Sequence, residues 1–314
     1  MGAGGLGPRG PDVDDDRIIP ISLIHSILQE LLNLRTFRLL RFNLPPLSLI
    51  PFCDRPIRRH LSELDFRSHA VSLSTLSAFL CYFDKVNHLK VHLEGCTDDI
   101  GTTASGSVSG DDPPQISRLS ISGWKTYRLL RLLLTPNLTL TSLELRIVDT
   151  GPATEDTSAF IHSVGKNLEY LHITFHAYYT DVPVMNRYNI SSCIKLVELS
   201  LTIVVDTNYL KNPQNSTWDR TISLLSAIPS PLNLRRLTFT LSFIGPIEFE
   251  PTSLQPYDWG LLDQTIARFR NLERVTFLGA EDGFESSLVN LGDLGDLIIK
   301  RLPILSAGGR LMVL

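Results

Sequence analysis

No uninterrupted apolar run in this chain reaches the roughly 18–20 residues of a membrane-crossing helix, so no membrane contact is expected. Basic clusters are missing as well. The 29 Lys and Arg are outnumbered by 33 Asp and Glu, the net charge is -4, and nucleic acid is therefore not an expected partner. Cysteine is scarce: Cys53, Cys81, Cys96 and Cys193 stand without paired spacing, which fits separate thiols in a reducing compartment and argues against a disulfide framework. The first ten residues are Gly-rich and lack the apolar stretch of a secretion signal, and Leu6 stands where a myristoylation signal wants Ser or Thr. Sequons at Asn137, Asn189 and Asn215 carry no meaning without secretion. These absences set the expectation of a cytoplasmic or nuclear protein.

Catalytic signatures are equally thin. The glycines of the first ten residues have no strand before them, so they lack the context of a phosphate-binding loop, and no Gly-x-Ser-x-Gly nucleophile turn occurs. Two histidine pairs have the four-residue spacing that converges metal ligands on a helix: His88 with His92, near Cys96, and His172 with His176. Both pairs fall in alternating, strand-like sequence, where a rise of about 3.3 Å per residue sets them about 13 Å apart. Zinc ligands lie about 2.0–2.3 Å from the metal, so neither pair shares one ion. No catalytic, cofactor-binding or metal-ligating residue is assigned, and the chain is expected to be non-enzymatic.

What the chain does contain is a repeat. The string Leu-x-x-apolar-x-apolar, with Val or Ile at times in the leading place, occurs nine times. The first five are Leu34-Phe37-Leu39, Leu61-Leu64-Phe66, Val86-Leu89-Val91, Ile116-Leu119-Ile121 and Leu140-Leu143-Leu145. Leu168-Leu171-Ile173, Leu196-Leu199-Leu201, Leu234-Leu237-Phe239 and Leu272-Val275-Phe277 complete the series. Successive starts lie 27, 25, 30, 24, 28, 28, 38 and 38 residues apart, within the range of solenoid repeats.

Each repeat core alternates apolar and polar residues, as in Leu143-Glu144-Leu145-Arg146-Ile147, and so reads as a strand with one buried face. Helix-like stretches with apolar residues three and four apart lie between them. They cover 22–32, 72–86, 126–134, 157–165, 218–228, 258–269 and 287–302, with Ser72 or Ser74 as a cap for the second. Strand and helix in alternation fit a doubly wound sheet or a leucine-rich solenoid. The strands of a doubly wound sheet are buried on both faces, whereas these keep a polar face, so the solenoid is the expectation.

The segment 98–114 is small, polar and acidic, and its composition predicts a disordered insertion. The late 38-residue periods hold longer loops over 206–217 and 245–257. Residues 1–16 read as a disordered tail and 17–314 as one solenoid.

On the polar side of the strands, one column runs Arg38, Asp65, Lys90, Ser120, Glu144, His172, Ser200, Thr238 and Thr276. The column before it holds Glu63, His88, Arg118, Tyr170, Glu198, Arg236 and Arg274. A solvated strand face accounts for both columns. The alternative is a protein-binding surface, with Tyr170, His172, Arg236 and Arg274 as candidate contacts, because Tyr and Arg are enriched at interface hot spots.

The repeats resemble leucine-rich repeats over nearly the whole chain, in irregular form. Phe42, His69, Glu94, Trp124, Val148, His176, Val204, Ser242 and Ala280 occupy the places where that family puts Asn or Cys. The phrases 233–239, 259–263, 269–275 and 302–313 are similar to the leucine-rich region of fungal F-box proteins, particularly those of mushroom-forming fungi. That resemblance implies an irregular α/β solenoid that captures substrate for an SCF-type ubiquitin ligase, with protein partners and no cofactor. The stretch Ile19-Pro20-Ile21-Ser22-Leu23-Ile24 mimics the opening of an F-box, with Ser22 in the acidic place, but Leu34 to Leu39 is already a repeat strand. A box-less relative and a sequence that starts downstream of its box both stay open. So does a scaffold or inhibitor unconnected with ubiquitin.

Overall fold

A computed structural model describes residues 21–31, 33–40, 60–97, 114–123, 127–134, 138–147, 151–175, 189–206, 217–229, 233–244, 257–279 and 291–314. Ten strands lie among them: β1 (Thr36–Leu40), β2 (His60–Ser72), β3 (Lys85–Thr97), β4 (Gln115–Gly123), β5 (Ser142–Ile147), β6 (Tyr170–Phe175), β7 (Glu198–Asp206), β8 (Arg236–Ile244), β9 (Arg274–Gly279) and β10 (Leu311–Val313). They form one open sheet in sequence order, and every neighbouring pair is parallel. The molecule is therefore an α/β protein built on a single all-parallel sheet, compatible with a solenoid-like arrangement.

The repeat phase is the strand register. Leu64, Leu89, Leu119, Leu143, Leu171, Leu199, Leu237 and Val275 stand side by side on successive strands. From Leu61 through Phe277 all the repeat positions are buried, whereas Leu34 and Phe37 at the edge are only partly so. The backbone repeats too. The carbonyl one residue after the leading apolar residue accepts two consecutive N–H groups of the next repeat. Arg35 receives Ser62 and Glu63, Thr141 receives Glu169 and Tyr170, Glu169 receives Val197 and Glu198, Val197 receives Arg235 and Arg236, and Arg235 receives Glu273 and Arg274. A slip of one residue would turn every buried side chain to solvent, so burial and backbone fix the same register.

The helices are α1 (Ile21–Glu30), α2 (Leu73–Leu80), α3 (Tyr127–Leu133), α4 (Gly151–Val164), α5 (Thr217–Ser226), α6 (Trp259–Ala267), α7 (Leu291–Arg301) and α8 (Pro303–Ala307). Each puts buried side chains, among them Leu28, Leu76, Leu129, Phe160, Leu225, Leu262, Ile298 and Leu305, into the same core as the strand leucines. Among the described residues they therefore cover the inward face of the sheet and leave its other face open. Helices also pack on their neighbours, α2 on α3, α3 on α4, α5 on α6, and α6 on α7 and α8. Among the described residues no helix is long and apolar enough to cross a membrane.

Several elements differ from the sequence reading. The helix expected over 72–86 stops at Leu80, although Ser72 does cap it by accepting the Thr75 N–H at 3.2 Å. Turn bonds from Tyr82 and Phe83 follow, and Lys85 pairs with His60, so strand pairing overrides helical periodicity there. The helix expected over 157–165 begins six residues earlier, at Gly151, with Pro152 in a first turn that needs no N–H donor. Helix α8 and strand β10 were not anticipated. Gly308 stands where the leading leucine of a tenth repeat belongs, which hid the strand that pairs Leu311 with Val275. Pro114, at the end of the expected insertion, is buried, and the following N–H of Gln115 bonds Asp84. The tail 1–16 and the rest of the insertion, 98–113, lie outside the described residues.

Candidate functional site

Alternation along the strands places three parallel rows of side chains on the open face. The first runs Glu63, His88, Arg118, Ser142, Tyr170, Glu198, Arg236, Arg274, and the second runs Arg38, Asp65, Lys90, Ser120, Glu144, His172, Ser200, Thr238, Thr276. Apart from Ser142, which the register adds to the first, these are the two columns read from the sequence. A third row was missed: Leu40, Arg67, His92, Ser122, Arg146, Thr174, Thr202, Thr240, Leu278. Its signal was available one step further along each strand. The short repeat motif ends before that step, and a reading centred on the leucines stopped with it.

Of the four candidate contacts, Tyr170, Arg236 and Arg274 lie in the first row on β6, β8 and β9, with Glu198 between the first two. His172 lies in the second row beside Glu144 and Ser200. Tyr170 is half-buried, and burial followed by the charges of Glu144 and Glu198 raises its pKa. Arg236 pairs with Glu198 at 2.6 Å, whereas the exposed Arg274 meets no carboxylate among the described residues.

Every carboxylate in the three rows is matched on the face itself. Glu63 sits between Lys90 at 2.9 Å and Arg38 at 3.0 Å, and the Lys90 hydrogen bond is the main reason its pKa is lowered. The buried Asp65 accepts two bonds from Arg67, each 3.1 Å, and this raises the Arg67 pKa. Glu144 receives the Ser120 hydroxyl at 3.0 Å and lies 3.3 Å from Arg146 and 3.6 Å from His172. His172, then Ser120, hold its pKa down at about 2 against the cost of burial.

A line of polar contacts crosses five strands through these groups. His88 Nε2 lies 3.1 Å from Ser120 Oγ, Ser120 donates to Glu144, Glu144 faces His172 Nδ1, and His172 Nε2 lies 2.9 Å from Thr202 Oγ1. Ser120 has one proton, and it goes to Glu144, so His88 is the donor in the first bond. A serine nucleophile would give that proton to the histidine. In that arrangement the Ser120 proton points to Glu144 and away from His88. Burial and the neighbouring Lys90 lower the His88 pKa and favour its neutral form. His92 in turn bonds Ser122, Nδ1 to Oγ, at 2.8 Å. His88 and His92 are thus engaged by separate serines, and His176 lies outside the described residues.

Over β2–β5 the second and third rows border a hollow of about 280 Å³, lined by Asp65, Arg67, Lys90, His92, Ser120, Ser122, Glu144 and Arg146. The three rows together carry seven Arg and Lys (Arg38, Arg67, Lys90, Arg118, Arg146, Arg236, Arg274) against the four carboxylates Glu63, Asp65, Glu144 and Glu198. These three rows thus carry three more cationic than anionic side chains, on a chain whose net charge is -4. Cys193 and Cys81 play no part in the face: burial raises the Cys193 thiol to about 11, and Cys81 sits at the end of α2. Searches against protein-family models, curated proteins and solved structures return no match to this chain.

Proposed function

We propose that the open face of the sheet recognises another protein, and that the chain is a non-enzymatic, irregular leucine-rich-repeat scaffold serving as the substrate-binding region of an SCF-type ubiquitin ligase receptor. The observation that carries the recognition reading is the face itself. Ten strands at about 4.8 Å spacing extend it over about 43 Å, and its side chains are held in rows by ion pairs and hydrogen bonds. Preordered side chains lose less entropy on binding, which favours a recognition surface. The link to ubiquitin rests on the resemblance of the repeat phrases alone. A ubiquitin-independent scaffold or inhibitor is the second reading. It is favoured by the commitment of Thr36–Leu40 to pairing with β2, which leaves no place after α1 for the further helices of an F-box among residues 33–40.

The test is proximity labelling in cells with the wild-type chain and a Tyr170→Ala/Arg236→Glu variant, alongside a binding assay against purified SCF adaptor. The recognition reading expects a specific set of labelled proteins that this variant or an Arg118→Gln/Arg146→Gln variant loses; a set unchanged by both sinks it. The 314-residue chain should not bind the adaptor by itself, and tight binding would overturn the assignment of residues from Leu34 onward to the sheet.

A further inference from the structure

The third row has a property that the other two lack. From β2 to β8 it reads Arg67, His92, Ser122, Arg146, Thr174, Thr202, Thr240, with no carboxylate and a hydrogen-bonding side chain at every position. The carboxylates of the first and second rows are already met by cations of the face. Arg67 and Arg146 nevertheless remain 57% and 50% exposed, so each keeps N–H donors free for a further anion. Arg118, in the first row beside the hollow, is exposed and meets no carboxylate among the described residues.

We infer that the hollow over β2–β5 binds an acidic, extended segment of a partner protein, its Asp or Glu carboxylates seated on Arg67, Arg146 and Arg118. This deepens the recognition reading and rests on it. Arg67 and Arg146 are three strand spacings apart, about 14 Å, which an extended peptide covers in about four residues. The segment therefore carries acidic residues about four apart and crosses the strands, with Ser122 and His92 between the two arginines to bond its backbone or polar side chains. A peptide fits better than nucleic acid. Tyr170 is the one Phe, Tyr or Trp in the three rows on which a base could stack.

The experiment is selection of a random twelve-residue peptide library on the purified full chain, with affinities of selected peptides then measured at low and high salt. A single-stranded oligonucleotide is run beside them. The proposal expects selected peptides rich in Asp and Glu, binding that weakens as salt rises, and at least about a tenfold loss of affinity in Arg118→Gln/Arg146→Gln. That variant retains Arg67 on the buried Asp65, and an unchanged melting curve separates lost binding from lost folding. Lys166→Glu, on the turn after α4, should bind as the wild type does. Neutral or basic peptides whose binding is lost on Tyr170→Ala/Arg236→Glu would overturn the acidic assignment and leave the recognition reading standing. Selection that no face variant alters, or no selection, would sink both. Tighter binding of the oligonucleotide than of any acidic peptide would overturn the choice of partner.

Discussion

Glu144 ties the open face together, since its carboxylate joins β4, β5 and β6 through Ser120, Arg146 and His172. Its pKa falls from 4.5 to about 2 in the folded chain, first through His172 and then Ser120. A carboxylate whose folded pKa is depressed adds stability above its unfolded pKa and loses it as pH drops through the folded one. The window is therefore pH 4.5 down to about 2. The carboxylate is partly exposed, so solvent screening reduces its contribution to on the order of 1–2 kcal/mol. His88, with its lowered pKa, pushes the same way, because the unfolded chain takes up its proton first as pH falls below 6.5. In urea titrations at pH 7, 4 and 2.5, Glu144→Gln should begin about 1–2 kcal/mol less stable at pH 7 and show a flatter acid limb than the wild type. Parallel limbs for the two proteins would show that Glu144 does not carry the acid sensitivity.

Among elements, the crossover from β3 to β4 has a consequence that its composition conceals. Residues 98–113 are small, polar and acidic, and an insertion of that kind reads as removable at little cost. The register says otherwise. Strand β3 runs on to Thr97 while β4 begins opposite Lys85, so the chain must return across twelve residues of strand, about 40 Å. Sixteen residues span at most about 55 Å, which leaves few to spare. Removing four residues should leave the melting temperature nearly unchanged, and removing ten should lower it sharply as β3 frays or β4 leaves its register. A ten-residue deletion that melts like the wild type would refute the register. The sequence revealed the inward residues of nine strands because each obeys one spacing and one chemistry. It hid β10, where glycine replaces the leading leucine, and the end of α2, where the choice between helix and strand lies in the partner strand. It also hid α8, whose first turn is satisfied at a distance: the buried Asp263 of α6 accepts the N–H groups of Ile304 and Leu305 at 2.9 and 3.2 Å. Two of the three face rows were legible from alternation. The ion pairs that organise them were not, because Arg38–Glu63 and Lys90–Glu63 join residues 25 and 27 apart that only the register brings together.

At the scale of the whole molecule, each strand pairs only with its sequence neighbours, so stability is a chain of local terms. Leu199 and Leu237 are fully buried partners on β7 and β8, and Leu→Ala at either should cost about 2–5 kcal/mol. Hydrogen exchange at mild denaturant should then show protection lost first over β6–β9 and retained over β2–β4. Uniform loss along the chain would contradict a neighbour-only array. The same order of strands bears on synthesis. In a sheet whose first strand lies at the centre, that strand must wait for partners made much later. Here every strand leaving the ribosome finds its docking edge already built by the strand before it. At about 5–20 residues per second, a repeat of 24–38 residues is added every few seconds. The nascent chain can grow its core one layer at a time, and the growing sheet edge is the one the next strand will cover.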